Sequence, residues 1–372
     1  MKCSIQRFVL SAAVVAFALP VVSMHAQPLY RQLMIDGYAL GTPTPTLVRA
    51  DAPLPHSGLT DPSLANQFNF TLGDGTNLNG VGNFIIPDPT NDAYIFSCTT
   101  ARIGPRTILT AAHCVTDDQT GALFNTSGQS FARFLGPGST NSTRHFYYTP
   151  DALQVVVNPF WAGFNNPSTY LANDFAVVNF ASDLPAWITT YGLFTGFPIG
   201  KSVNEVGFGT YGGGTGPTDF DFGRRWGTNT IDYIPTDETF SDYLDIYTDF
   251  DDTQGNFDTF CWLGIACNSR YLATEAGTAE GDSGGPLFIN GLIAGVASFG
   301  TYVCVDTAHP CTAFAADQSR PFDSFGSLHA YSPVFANADF IASATIPEPA
   351  TVALLGMGLF AVAVAARRQR RS

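Results

Sequence analysis

The sequence predicts an all-β protein built from short antiparallel strands, and three observations carry that prediction. The chain of 372 residues holds 36 glycines and 24 prolines against 17 lysines and arginines, a composition that favours turns over long helices. Short β-branched and aromatic runs recur between Gly, Pro and Asn clusters, the pattern of a sandwich or barrel. Once Cys3 is set aside with an N-terminal leader, six cysteines remain, and an even number in an exported chain argues for disulfides.

Taken in order, residues 1–26 read as a secretory signal. Lys2 and Arg7 form a positive start, an apolar stretch runs from Phe8 to Val22, and small residues follow near Ser23 and Ala26. Residues 27–78 are rich in Pro, Thr, Asp and Asn with little periodicity, and read as a propeptide or irregular extension. A first series of strands is expected at 83–86, 93–98, 107–111, 153–157 and 175–180. A second is expected at 202–207, 243–247, 286–289, 292–298 and 330–335, with a closing helix at 336–344.

The other end carries Ile346-Pro-Glu-Pro349, then 17 uncharged residues (350–366), then Arg367, Arg368, Arg370 and Arg371. That apolar length is the short limit for a membrane-spanning helix, and the arginines belong on the cytoplasmic side. The formal charge is −14, and removing the six cations of the two ends takes the body of the chain to −20. So acidic a surface disfavours nucleic acid, whose phosphates need Lys and Arg.

Two segments carry chemistry. Ser283 lies within Gly281-Asp-Ser-Gly-Gly-Pro286, and His113 within Leu109-Thr-Ala-Ala-His-Cys114. A serine hydroxyl needs an imidazole to take its proton and fixed N–H donors to hold the oxyanion formed on attack. Gly281 and Gly284 let the backbone turn tightly enough for such donors to converge. Cys98 with Cys114 is the favoured disulfide, since it would brace the strand and loop presenting His113. The other four cysteines allow three connectivities, of which local pairing, Cys261 with Cys267 and Cys304 with Cys311, is preferred. Metal binding by cysteine is not expected, because no C-x-x-C pair occurs.

From about residue 80 to 344 the chain resembles trypsin-like serine proteases of the chymotrypsin fold. The likeness rests on Thr110-Ala-Ala-His-Cys114, Asn173-Asp-Phe-Ala-Val-Val178, Gly281-Asp-Ser-Gly-Gly-Pro286 and Val296-Ala-Ser-Phe-Gly300, in the family's order. The resemblance implies two antiparallel β-barrels, about 79–190 and 191–345, with a cleft between them and a polypeptide substrate. It implies His113 as general base, Asp174 as its orienting carboxylate and Ser283 as nucleophile. Gly281 and Ser283 would supply the oxyanion-hole N–H groups. Gly281-x-Ser-x-Gly285 also matches the α/β-hydrolase elbow, but that fold needs the order Ser, Asp, His and alternating helices. The rival from another class is a non-catalytic peptide-binding protein that keeps the fold.

The resemblance also bears on specificity. Gly277 falls where the family's pocket floor carries Asp for basic side chains, so a basic preference is not expected. Ser298, Phe299 and Gly300 fall where the family pairs substrate backbone as an added strand. Gly277 and Gly300 would leave an open, apolar-preferring pocket. His329, with Thr278 nearby, invites an acidic preference, against the plainer reading of a packed or surface histidine. No Ile/Val-Val-Gly-Gly start exists to pair with Asp282 after cleavage, so either that carboxylate finds another partner or the enzyme folds directly into its active form. No cofactor is implied. The acidic stretch 219–258 carries 11 carboxylates; Asp249 to Gly255 opens like a calcium loop but departs from its spacing, and a solvated acidic surface is the favoured reading.

The tail resembles the PEP-CTERM sorting signal of Gram-negative bacteria that make exopolysaccharide. That resemblance implies an exosortase-type processing enzyme as partner, transient anchoring in the inner membrane by 350–366, and delivery to the envelope or extracellular matrix. A plain C-terminal anchor is the alternative.

Overall fold

The computed structural model describes residues 66–87, 95–124, 130–140, 142–164, 171–214, 216–219, 223–235, 245–252, 257–267, 274–301 and 324–345, with three two-residue strands before them. The expected leader, the sorting tail and the Cys304–Cys311 pair lie outside the described residues. Of the early strands, β1 (Met34–Ile35) pairs antiparallel with β2 (Tyr38–Ala39). The third, β3 (Val48–Arg49), runs parallel to β12 (Thr210–Gly213), which also pairs with β13 (Gly216–Asp219).

Two curled antiparallel sheets make the body. The first holds β4 (Val81–Pro87), β5 (Ile95–Gly104), β6 (Thr107–Thr110), β7 (Phe131–Leu135), β8 (Phe146–Tyr148), β9 (Ala152–Val157) and β10 (Ala176–Phe180), in the order β8-β7-β4-β5-β6-β10-β9. The second holds β11 (Ser202–Gly207), β14 (Arg225–Thr230), β15 (Ile246–Asp249), β16 (Pro286–Ile289), β17 (Leu292–Thr301) and β18 (Leu328–Pro333), in the order β14-β11-β16-β17-β18-β15. The all-β expectation holds. The last expected strand shifts toward the N-terminus: β18 ends at Pro333, whose missing N–H suits the residue before a helix. There α2 (Val334–Ala344) begins, after a single turn of helix, α1 (Thr259–Trp262).

Apolar side chains from both sheets meet in one cluster, with Phe84, Leu109, Val177 and Phe180 of the first against Val206, Phe288 and Val296 of the second. Burial of that area, at about 25 cal/mol per Å², is what holds the sheets face to face. β10 is buried at every position, and its Asn179 donates from Nδ2 to the carbonyl of Ala344, at the end of α2, at 3.0 Å.

Residues 66–80, read from sequence mainly as extension, are fastened to the body. Arg224 is fully buried and donates to the carbonyls of Leu78 at 2.5 Å and Gln67 at 3.1 Å. Burial pushes its pKa down to about 10. The Tyr191 hydroxyl donates to the carbonyl of Asn77 at 2.6 Å and accepts from the N–H of Gly80 at 3.1 Å. The acidic stretch corrects the expectation of a solvated surface: Asp249, Asp251 and Asp252 are 1%, 2% and 7% exposed. They follow a strand whose neighbours fold over them, which spacing alone does not reveal.

Candidate active site

β6 and β10 run antiparallel, with Thr110 opposite Ala176, so the end of one lies beside the start of the other. His113 leaves β6 in a turn closed by the Val115 N–H on the carbonyl of Ala112 at 2.9 Å. Asp174 enters β10 from a 3-10 turn at Leu171–Asn173. Asp174 is wholly buried. Its Oδ1 accepts the His113 backbone N–H at 2.9 Å, and its Oδ2 accepts from His113 Nδ1 at 2.6 Å. The Ser298 hydroxyl donates to the same Oδ2 at 2.6 Å.

With Nδ1–H committed to the carboxylate, Nε2 is left to accept a proton, and it is hydrogen-bonded to Ser283 Oγ. The structure therefore brings His113, Asp174 and Ser283 into one connected chain. Ser298 owes its aim to a bulge: Ala297 pairs with Tyr331 and Phe299 with Ala330, and the residue between is left over.

The turn around Ser283 has positive φ at Gly281 (99°) and Gly284 (76°), where a side chain is strained. At Gly284 a Cβ would also lie 2.1 Å from Thr110 Oγ1. The N–H groups of Ala279, Asp282, Gly284 and Gly285 are all bonded within the turn or to β17. Among the described residues, those of Gly281 and Ser283 donate to nothing. In so buried a turn, two unbonded donors flanking one hydroxyl are an exception to be explained.

Sequence reasoning missed the residues that hold this arrangement. Thr99, on β5, donates its N–H to the Ser283 carbonyl at 2.6 Å and its hydroxyl to the Gly281 carbonyl at 2.8 Å, and accepts from Phe208 N–H at 2.9 Å. It is the stitch between the first sheet and the turn that carries Ser283. Asn158 donates to Asn173 Oδ1 at 3.1 Å and to Asn337 Oδ1 at 2.8 Å, while Asn337 donates to the Ala172 carbonyl at 2.8 Å. That network fixes the turn before Asp174. No motif marks a lone Thr or Asn for such a role. The Phe164 ring lies 5.5 Å from the His113 ring and meets Trp161 and Phe299 edge-on, walling the imidazole on one side.

Asp282 has partners inside the domain. Its Oδ1 accepts Gly209 N–H at 2.8 Å and its Oδ2 accepts Ala279 N–H at 3.1 Å. Both expected disulfides that fall in the described residues are formed, Cys98–Cys114 and Cys261–Cys267.

Gly277, Thr278, Gly300 and His329 come together, and one detail departs from expectation. A Cβ at Gly277 would lie 2.1 Å from His329 Nε2. The volume that Gly277 vacates is thus occupied by an imidazole rather than open. His329 is fully buried opposite Gly300, and its Nδ1 is 3.1 Å from Thr278 Oγ1. Its Nε2 has no hydrogen-bond partner among the described residues. Phe299 is fully buried and turns its ring toward Tyr247.

A sequence profile of the trypsin family matches residues 90–320, and one of the PEP-CTERM protein-sorting motif matches residues 345–371. The chain belongs to the trypsin family. Brachyurin of Leptuca pugilator is 29% identical over 224 residues, covering 58% of this chain and 81% of its own. Among solved structures, mouse neuropsin, a serine protease, aligns with TM-score 0.43 and 16% identity over 71% of this chain and 93% of its own. Human heparin binding protein aligns with TM-score 0.41 and 17% identity over 73% and 95%.

Burial pushes the His329 pKa down to about 3, and this has a sign. Above pH 6.5 the folded and unfolded chains both hold it neutral, and it contributes nothing to pH dependence. As pH falls below that value the unfolded chain gains a proton the folded chain refuses, so stability declines, by about 1.4 kcal/mol per pH unit until near pH 3. Urea unfolding at pH 7 and pH 5 is expected to show about 2 kcal/mol of loss from this group, absent in His329→Gln. Equal losses in both proteins would mean that His329 is not held neutral.

Proposed function

We propose that the chain is an exported serine endopeptidase acting through an acyl-enzyme. The observation that carries this reading is the unbroken chain Asp174–His113–Ser283 beside two N–H groups, of Gly281 and Ser283, left without acceptors among the described residues. Ser283 Oγ attacks the substrate carbonyl carbon as His113 Nε2 takes its proton, and Asp174 stabilises the imidazolium. The carbonyl oxygen, now an oxyanion, accepts from the Gly281 and Ser283 N–H groups. His113 then returns the proton to the leaving amine as the C–N bond breaks, leaving the acyl ester on Ser283. A water molecule, deprotonated by His113, attacks that ester; the C–Oγ bond then breaks as His113 gives the proton to Ser283 Oγ, and the new carboxylic acid leaves.

Substrate backbone pairs as an added strand along 298–300, as in other β-augmented complexes. For the side chain before the cut, the floor offers Gly277 and a neutral, buried His329. Gly277 stands where the family's carboxylate would receive Lys or Arg, and an imidazole held neutral brings no positive charge for Glu or Asp. The proposed preference is apolar.

The rival, a fold kept only for binding peptides, lacks an observation of its own, since every residue the chemistry needs is present. A panel of fluorogenic peptides with Phe, Leu, Ala, Glu or Arg before the cut tests both points. Turnover is expected for the apolar members and is expected to fall by about 10³-fold or more in Ser283→Ala. Undiminished turnover in that variant overturns the mechanism; preferred cleavage after Glu or Arg overturns the pocket reading.

The sorting motif at 345–371 supports export and membrane anchoring in a Gram-negative bacterium. We propose that an exosortase-type enzyme then cuts near Pro347 to Pro349 and releases the body, residues 79–345 with whatever remains of 27–78, to the envelope or matrix. Immunoblotting of fractions with a tag ahead of residue 345 and another after 366 is expected to find only the first in the matrix. Both tags held together in the membrane would mean a plain anchor.

A further inference from the structure

The acidic residues that turned inward begin at the end of β15, the strand that pairs with the one carrying His329. One carboxylate oxygen from each of Asp249, Asp251 and Asp258 lies within 4.8 Å of the other two. Asp249 ends β15, and its Oδ2 accepts the Phe260 N–H at 3.1 Å. Asp258 caps α1 by accepting the Cys261 N–H at 2.8 Å, and the Cys261–Cys267 disulfide staples that turn. Glu275 stands behind Asp251, accepting its N–H at 2.6 Å.

Two independent features point to a missing partner. Asp249 and Asp251 are 1% and 2% exposed, yet Oδ1 of each is buried with no hydrogen-bond partner among the described residues. The charges that act on Asp251 are those of Asp249, Glu275, Asp258 and Asp232, all of its own sign. Carboxylates gathered away from water need a neutralising cation or a proton. Convergent oxygens, some of them with spare lone pairs, are what a cation requires.

The donor set selects among cations. It is oxygen throughout, and the nearby sulfurs are committed to a disulfide, so a hard ion is called for rather than zinc or copper. Calcium–oxygen distances of roughly 2.3–2.6 Å put ligands on opposite sides of one ion about 5 Å apart. Magnesium demands near-ideal octahedral geometry and usually keeps several waters, whereas calcium accepts irregular sets of carboxylate oxygens. We propose that Asp249, Asp251 and Asp258 form a calcium site, buttressed by Glu275. An ion there ties β15 and α1 to the segment that continues into Gly277. Because Thr248 of β15 pairs with His329, calcium would brace the pocket floor from below.

The proposal stands apart from the peptidase reading, and its test is made in a Ser283→Ala background so that autolysis plays no part. Full-length protein is stripped with chelator, then melted with and without about 5 mM CaCl2, with MgCl2 at equal concentration as the ionic-strength control; calorimetric titration gives the affinity. Calcium is expected to raise the melting temperature and to bind one site with a Kd on the order of 10⁻⁴–10⁻³ M or tighter, as in extracellular modules. Asp251→Asn is expected to weaken binding at least tenfold and to lose the calcium-dependent rise. In chelator, however, it should melt at or above wild type, because one repelling charge is gone. A merely structural aspartate would give the opposite sign there. Should Asp251→Asn fail to fold, Asp258→Asn keeps the helix cap and is expected to show the same loss. No calcium response beyond the magnesium control, or an undiminished response in the variants, overturns the proposal.

Discussion

The buried carboxylate of Asp174 is the constraint on which the rest of the site depends. An anion with no exposure is tolerated only when donors surround it, and here three do: the His113 N–H, His113 Nδ1 and the Ser298 hydroxyl. Each donor is delivered by a different device. The antiparallel pairing of β6 and β10 supplies His113, and a bulge in β17 turns Ser298 inward. Asparagines from three separate segments hold the turn that presents the carboxylate. The imidazole orientation follows, and with it the availability of Nε2 to Ser283.

The turn that carries Ser283 is governed from the other sheet. Thr99 takes up the carbonyls of Gly281 and Ser283, the acceptors that would otherwise compete for the turn's own N–H groups. Among the described residues, the N–H groups of Gly281 and Ser283 are thereby left without acceptors. The cleft is not a gap between independent halves. It is crossed by specific backbone bonds, and the same apolar cluster runs beneath it.

Much of this was legible in the sequence, and unevenly so. His113 and Ser283 were readable because two short motifs, each alone a common turn or a packed histidine, occur together and in order, and Asp174 because family order placed it. Strands with β-branched runs, such as Pro286–Ile289, were found at their bounds. Arg225–Thr230 was not, because buried Arg225 and Asn229 give a strand with a polar sequence. His329 shows the same limit at the site: its position near the pocket could be counted, but not that it would fill the space Gly277 leaves. Likewise a row of aspartates reads as solvated until the fold covers it. Burial of polar groups is a property of the tertiary neighbours, and periodicity does not encode it.

The central claim is that Asp174 makes Ser283 reactive by fixing His113. The most direct measurement is the labelling rate of the chain by a fluorophosphonate probe, compared with that of Asp174→Asn. The account predicts a single adduct on Ser283, and a rate lowered by about 10³–10⁴-fold in the variant with the fold unchanged, since an amide would hold the wrong imidazole tautomer. Equal labelling rates in the two proteins, or an adduct on another residue, would contradict it.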